Sequence, residues 1–484
     1  MLKFKFIHFR LILKFLGMAF LVIAGLQLLS LFVAVFFSEH QWTSFALSAV
    51  ISAVIGFLLF MLNPVVEGEK ITIRDSFLLL ILIWFFVPAA GMLPFYLGTP
   101  ISVIDAFFES YAGFTTTGFT NLAKYDMLPK SILFWKSIIQ WIGGMGFMVF
   151  VIALFPLIKE GEFKLFFSDI QDKAYRPLHK RIAANARRLW YVYLSFTLLG
   201  MGALIIAGQE WFDALCFALS SISTGGGVPY NGNLTHLSIP IKSVLIVLMF
   251  IAGANYFFVF QVFKRQHTIR TDEFVAYAKV TFFAAVSIIA AQIIVNGFSP
   301  IGLFESLFNT VSFVSTTGFY SNAVFDNGIL FVWMILFFLL FVGSSKGSSG
   351  GGINISRVLI LFRSLKNYVK TTIHPNSYYQ TSFNKVPVPV AELSGIYAFL
   401  VLYIIFFFAG SISLSFLGFG FENAIGFCAA SLSNTGPGVF LMNGYTELSL
   451  IHSGSKIVLI VLMVIGRIEL FPFLLILSRS FWKL

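Results

Sequence analysis

Thr116-Thr117-Gly118-Phe119 is the stretch on which the reading of this chain turns, because it is spelled out four times. It returns as Ser223-Thr224-Gly225-Gly226, as Thr316-Thr317-Gly318-Phe319 and as Asn434-Thr435-Gly436-Pro437, at intervals of roughly one hundred residues. Each copy follows a short apolar stretch that opens with an acid, Asp105, Asp213, Glu305 or Glu422, and precedes a longer apolar one. One Thr-Gly turn occurs by chance in many loops. Four in equivalent surroundings define a repeated supersecondary unit. Four polar turns set into an apolar chain are expected to meet around one axis and to line an ion pathway.

The solvent of this chain is lipid. Of its 484 residues, 58% are hydrophobic and 11% charged, against roughly half and a quarter in soluble domains. Mean hydropathy is +0.90, and 61 residues are phenylalanine. Windows at 11–37, 189–206, 241–260, 280–295, 393–416 and 457–477 reach the roughly 20 apolar residues that cross a hydrocarbon core. They lack the polar faces that a soluble helical core would need. The net charge of +11 sits in blocks: the N-terminus, 159–188, 264–279, 357–385 and the C-terminus. The segments between the blocks are weakly charged. That alternation is a topology signal, not a nucleic-acid surface, and it predicts both ends in the cytoplasm with an even number of crossings. The N-terminal apolar run is too long for a signal peptide and no small-residue cleavage site follows it, so it reads as a first transmembrane helix. Cys216 and Cys428 sit in apolar stretches and read as small packing residues.

The fold expected is an all-α polytopic membrane protein. Two helices near 11–37 and 43–63 fill residues 1–68, and four helix–pore-loop–helix repeats follow at 69–160, 161–270, 271–385 and 386–484. The first repeat pairs helices at 76–97 and 132–157 around a short segment at 104–114. The others use 189–208, 211–221 and 239–263; then 280–295, 303–314 and 329–362; then 393–417, 422–432 and 457–477. Two helices plus eight give ten crossings. The short segments span about half the core, so each must enter and return, burying its non-helical backbone in protein or against water. Their leading acids read as ordinary charges at helix N-termini.

An alkali cation entering such a pathway sheds water, and rings of backbone carbonyls supply replacement oxygens. Turning those carbonyls toward an axis needs residues that accept positive φ, which glycine does at little cost. The candidate ligating set is Thr116, Thr117 and Gly118; Ser223, Thr224 and Gly225; Thr316, Thr317 and Gly318; and Asn434, Thr435 and Gly436.

With these turns, three further motifs carry a resemblance. They are Phe134-Trp135-Lys136-Ser137 with Gln140-Trp141-Ile142-Gly143-Gly144-Met145-Gly146, the Gly/Ser run from Gly343 to Gly352, and Gly466-Arg467-Ile468-Glu469-Leu470-Phe471-Pro472. The chain resembles the TrkH/TrkG/KtrB/HKT superfamily of potassium-translocating membrane proteins over nearly its whole length, the TrkH branch most closely. The resemblance implies two extra N-terminal helices, a pseudo-fourfold axis, and K+ as the ion, since all four filter positions are read as glycine. Two departures stand out. The second turn continues Gly225-Gly226-Gly227 where an aromatic usually follows paired glycines, which should make it more mobile and less selective. Asn434 replaces Thr or Ser, and Pro437 should stiffen the fourth turn.

The run Gly343-Ser344-Ser345-Lys346-Gly347-Ser348-Ser349-Gly350-Gly351-Gly352 cannot stay helical. It lacks the nucleotide-loop spacing, and apolar sequence flanks it on both sides, so it reads as an intramembrane loop under the filter. The resemblance makes it a gate. Arg467 lies in an apolar helix, where a charge costs at least about 2.5 kcal/mol. The resemblance sets it beside the gate loop, narrowing the pathway and repelling cations, while a structural arginine capping loop carbonyls is the alternative. Lys346 is either a tethered cation competing with potassium or a side chain reaching to the cytoplasm.

Passive or gated potassium permeation is the function expected, with an ion-coupled symporter (Na+ or H+) as the alternative. Secondary transporters favour inverted repeats and paired helix breaks, whereas here the repeats run parallel and only one long helix reads as broken. The seven histidines form no ligand spacing, so an enzyme is not expected, and no organic cofactor is expected in this chain. By resemblance, nucleotide is bound by separate cytoplasmic TrkA/KtrA-like regulatory subunits docked on a homodimer in the bacterial inner membrane. The basic blocks would meet those subunits or anionic lipid.

Overall fold

A computed structural model describes residues 7–63, 72–122, 128–145, 179–227, 233–263, 272–321, 330–377, 379–436, 451–468 and 470–482. The chain opens with a helical hairpin, α1 (Phe9–Phe36) and α2 (Trp42–Met61). Gly17 and Gly56 let these two backbones touch. A Cβ at Gly17 would stand 2.8 Å from Gly56 O, and one at Gly56 would stand 2.9 Å from Gly17 O. Small residues at a membrane helix crossing allow this close approach. Polar contacts at its ends tie the hairpin to the first repeat unit. Asp75 accepts from the His8 backbone N–H (3.0 Å), and Glu39 caps the start of the sixth helix through the N–H groups of Lys130 (2.6 Å) and Ser131 (3.0 Å).

The first unit contains α3 (Ile73–Gly91), α4 (Leu93–Gly98), the short pore helix α5 (Val103–Phe114) and the outgoing helix α6 (Lys130–Gly144). Thr72 and Asp75 form a capping box at the start of α3, satisfying free N–H groups there. Ser102 caps α5, its hydroxyl oxygen accepting from the Asp105 N–H (3.2 Å). The second unit has α7 (His179–Ile206), pore helix α8 (Trp211–Ile222), and α9 (Ile239–Ala252) followed by α10 (Tyr256–Phe263). The third has α11 (Asp272–Asn296), pore helix α12 (Pro300–Val314), α13 (Leu330–Val342) and α14 (Ile355–Ile373), then a small hairpin, β1 (Ser382–Phe383) with β2 (Val386–Pro387). The fourth has α15 (Val390–Phe416), pore helix α16 (Phe421–Leu432), α17 (Ser453–Ile468) and α18 (Leu470–Leu477), with α19 (Arg479–Trp482) after it.

Along the described residues a long helix, a shorter helix, a turn and a further helix follow one another four times. The pore helices α5, α8 and α16 have 12 residues each, about 18 Å, too short to cross. Among the described residues six helices are long and apolar enough to span a bilayer, or up to eight if each bent pair is one span. The remaining expected crossings are those led by α6, whose continuation lies outside the described residues, and by α13, which runs into the Gly/Ser loop.

Two sequence expectations are corrected. More than one long helix is broken: α9 and α10 meet at 102°, and α17 and α18 at 109°, in addition to the interruption between α13 and α14. Arg467 therefore sits at the end of α17 and not in the middle of an unbroken helix, while its neighbour Glu469 lies outside the described residues. Three outgoing helices present glycines to the ends of pore helices: on α6, Gly143 to Phe114 O and Gly144 to Ser223; at the end of α9, Gly253 to Ser315; and on α17, Gly466 to Leu432 O, with no room for a Cβ.

Candidate functional site

Each pore helix ends in the same backbone sequence. Its C-cap is Thr115, Ser223, Ser315 or Ser433. The next residue is left-handed: Thr116 (φ 56°), Thr224 (52°), Thr316 (61°) and Asn434 (53°). Two places on comes a left-handed glycine, Gly118 (75°), Gly226 (57°), Gly318 (81°) or Gly436 (83°). This register corrects the second turn. Ser223 matches Thr115 and not Thr116, and its hydroxyl donates to Ser220 O (3.0 Å) in the pore helix. Gly225 matches Thr117, and Gly226, absent from the candidate set, takes the place of Gly118.

The turns touch in cyclic order. A Cβ on Gly118 would strike Gly225 O, one on Gly226 Thr317 O, one on Gly318 Thr435 O, and one on Gly436 Thr117 O. These contacts run one to two, two to three, three to four and four back to one, so the turns surround a common axis. Glycine is required at each point by both φ and space. Asn434 adds a link across the ring, donating to Thr117 Oγ1 (3.0 Å) and to Met463 O (2.9 Å). Pro437 lies outside the described residues.

Three lysines and their acids brace this ring, and sequence reasoning missed their role. Lys136 Nζ donates to Glu109 Oε2 (2.7 Å) and Phe119 O (3.1 Å), and Glu109 in turn accepts from Thr120 Oγ1 (2.8 Å) and Asn121 N. Lys242 pairs with Glu305 (2.6 Å), and Lys456 with Asp105 (2.6 Å). The last two pairs join the outgoing helix of one unit to the pore helix of the next, two to three and four to one. Glu305 is thus no N-terminal charge, because α12 begins at Pro300 and carries it buried in its second turn. The signal was present: lysines in apolar helices, each at a similar distance beyond its turn. Lys136 and Glu109 are 1% and 0% exposed, and removing one partner of a buried pair costs about 3–5 kcal/mol. Lys136→Met is therefore expected to lower the melting temperature in detergent sharply, and Glu109→Gln in the same chain should restore part of the loss.

The Gly/Ser run is a compact loop with a closed neck. Ser344 N donates to Gly351 O (3.3 Å) and Ile353 N to Phe341 O (3.0 Å), and Gly343, Gly347 and Gly352 take positive φ. The loop lies against the ring. Gly351 N donates to Thr316 Oγ1 (3.0 Å), Gly351 presses on Ser433 O, and Gly350 meets Thr316 Oγ1. Ser345 N and Ser349 N donate to Gly253 O and Ala252 O at the break of the second outgoing helix. Lys346 is half-buried at the tip, where its N–H donates to Glu273 Oε1 (2.6 Å). Arg467 ties the loop down: Nη1 donates to Ser349 O (2.7 Å), and Nη2 to Gly143 O (2.6 Å) and Gly144 O (3.1 Å). It caps carbonyls, and the carbonyls belong to the loop and to the end of α6.

Four re-entrant turns closing a ring within a bundle of apolar helices define a multi-pass membrane protein of the pore-loop class. The comparisons sharpen the class. The profile of the TrkH family, described as "Cation transport protein", matches residues 43–285 and 299–483, and the chain belongs to that family. It is a cation transporter and not an enzyme. The "Trk system potassium uptake protein TrkH" of Escherichia coli (strain K12) is 29% identical over 489 residues, covering 98% of this chain and all of the relative. The protein of that description from Vibrio parahaemolyticus is 30% identical over 492 residues, with 98% and 100% covered. The crystal structure of the potassium transporter TrkH from Vibrio parahaemolyticus superposes with a TM-score of 0.87 at 29% identity, covering 98% of this chain and 100% of that one.

Proposed function

We propose that this chain carries potassium into the cell across the cytoplasmic membrane, through a filter of main-chain oxygens on the four turns. The observation that carries the reading is the cyclic contact of the turns, which brings the carbonyls of Thr117, Gly225, Thr317 and Thr435 to one ring. The relatives' description as potassium uptake proteins favours K+ as the cargo. In this proposal the loop 343–352 is the gate and Arg467 its latch, supported by the loop's contacts to Thr316 and Ser433 and by the bridge to α6. Both termini face the cytoplasm of a bacterial inner membrane, and the unit boundaries fall after residues 68, 160, 270 and 385. A homodimer with separate nucleotide-binding regulatory subunits of the TrkA/KtrA type completes the proposal, the name "Trk system" being that of an assembly.

Coupled symport is the second reading, because the breaks in three outgoing helices remove one argument against it. The parallel order of the four units still favours a channel-like pathway. Rubidium-tracer uptake by purified protein in liposomes separates the two. Uptake is expected to follow the rubidium gradient and the voltage, with no response to sodium or proton gradients imposed separately. Uptake driven uphill by either gradient would establish symport instead.

A further inference from the structure

The second turn departs from the pattern that the other three keep. In those three the cap hydroxyl shares a hydrogen bond with the threonine two places on: Thr115 with Thr117 (2.7 Å), Ser315 with Thr317 (2.8 Å) and Ser433 with Thr435 (2.9 Å). The second turn has Gly225 at that place and loses the link. Turns one and three then continue with a phenylalanine wedged among pore helices. Phe119 lies 5.9 Å from Phe108 and 5.8 Å from Phe427, and Phe319 lies 6.0 Å from Phe217. The second turn continues with Gly227.

Two consecutive residues, Gly226 (φ 57°) and Gly227 (φ 72°), are therefore left-handed, which Phe119 and Phe319 could match only with strain. The peptide joining them is rotated, and its oxygen faces the wall. Gly226 O accepts from Gln140 Nε2 (2.8 Å) and from Ser220 Oγ (3.2 Å), and the same Gln140 amide lies 3.3 Å from Gly225 O. Gly118 O, at the matching position of turn one, instead faces the neighbouring turn, where a Cβ on Gly227 would strike it.

The geometry points to Gln140 as a selectivity-determining positioning residue, which holds the Gly226 carbonyl out of the pathway and leaves that level of the ring one oxygen short. This deepens the filter reading above and rests on it. Whether selectivity comes from cavity size or from the number and field of carbonyl dipoles, a missing oxygen relaxes discrimination against the smaller sodium ion. Removing the Gln140 donor leaves Gly226 O with the longer bond from Ser220 Oγ (3.2 Å), which weakens its hold on the wall and favours rotation of the carbonyl back to the ion.

The test uses the full-length purified protein in planar bilayers, with potassium on one side and sodium on the other. Gln140→Leu is expected to lower the sodium-to-potassium permeability ratio several-fold. Ser220→Ala, which removes the other donor to Gly226 O, should lower it in the same direction by less. An unchanged ratio in Gln140→Leu overturns the inference. A lowered melting temperature with an unchanged ratio also overturns it, since that marks a structural role only. Absence of potassium current in the parent protein would instead defeat the filter reading itself.

Discussion

Alanine at position 467 is expected to raise potassium flux by roughly tenfold to a hundredfold without altering which ions pass. The Arg467 guanidinium makes three hydrogen bonds that join the loop carbonyl of Ser349 to the Gly143 and Gly144 carbonyls ending α6. Bonds from a charged donor are worth about 1.5–3 kcal/mol each. In the proposed gate, losing even part of that from the latched loop shifts it far toward release. Arg467→Lys keeps the charge but not the planar fork that reaches both partners, so it should lie between alanine and the parent if the span matters. Tracer efflux from liposomes gives the flux, and reversal potentials give the selectivity. A well-folded but inactive Arg467→Ala protein would contradict the latch.

The second large effect concerns the ring itself. Gly118→Ser is expected to raise sodium permeability relative to potassium by roughly tenfold, because any Cβ there is both strained and obstructed. The residue has φ 75°, a conformation costing other residues about 1–2 kcal/mol, and its Cβ would meet Gly225 O on the adjoining turn. The turn must move, and the carbonyl spacing moves with it. Reversal potentials under mixed potassium and sodium report the change, and an unaltered value would remove Gly118 from the filter.

The elements that sequence made legible are those bounded by abrupt chemistry. The pore helices were placed to within three residues because apolar runs end at Thr-Gly or Ser-Thr-Gly. The second turn misled because Ser223-Thr224 imitates Thr116-Thr117 and three glycines follow, so residue types alone leave two registers open. Where the pore helix stops decides between them, and that is set by hydrogen bonds back to Ser220 and Leu219. The bend after Ala252 was hidden for a different reason. Residues 239–263 are apolar almost throughout, and hydropathy does not distinguish a straight span from a folded one. Gly253, which ends α9, and Asn255, whose side chain caps α10 through the N–H groups of Phe257 and Phe258, mark the break. The lysine–acid pairs were legible only by comparing units with one another.

The glycine crossing of α1 and α2 has a consequence for how the chain is built in the cell. These helices precede the four units in the sequence and are synthesised before them, and the contact of Gly17 with Gly56 is made between the two helices themselves. A hairpin that forms as soon as it enters the bilayer offers a finished surface, with Glu39 waiting to cap α6, before any pore helix has been synthesised. The first unit can then dock as it emerges, so biogenesis proceeds from a prefabricated edge inward to the axis.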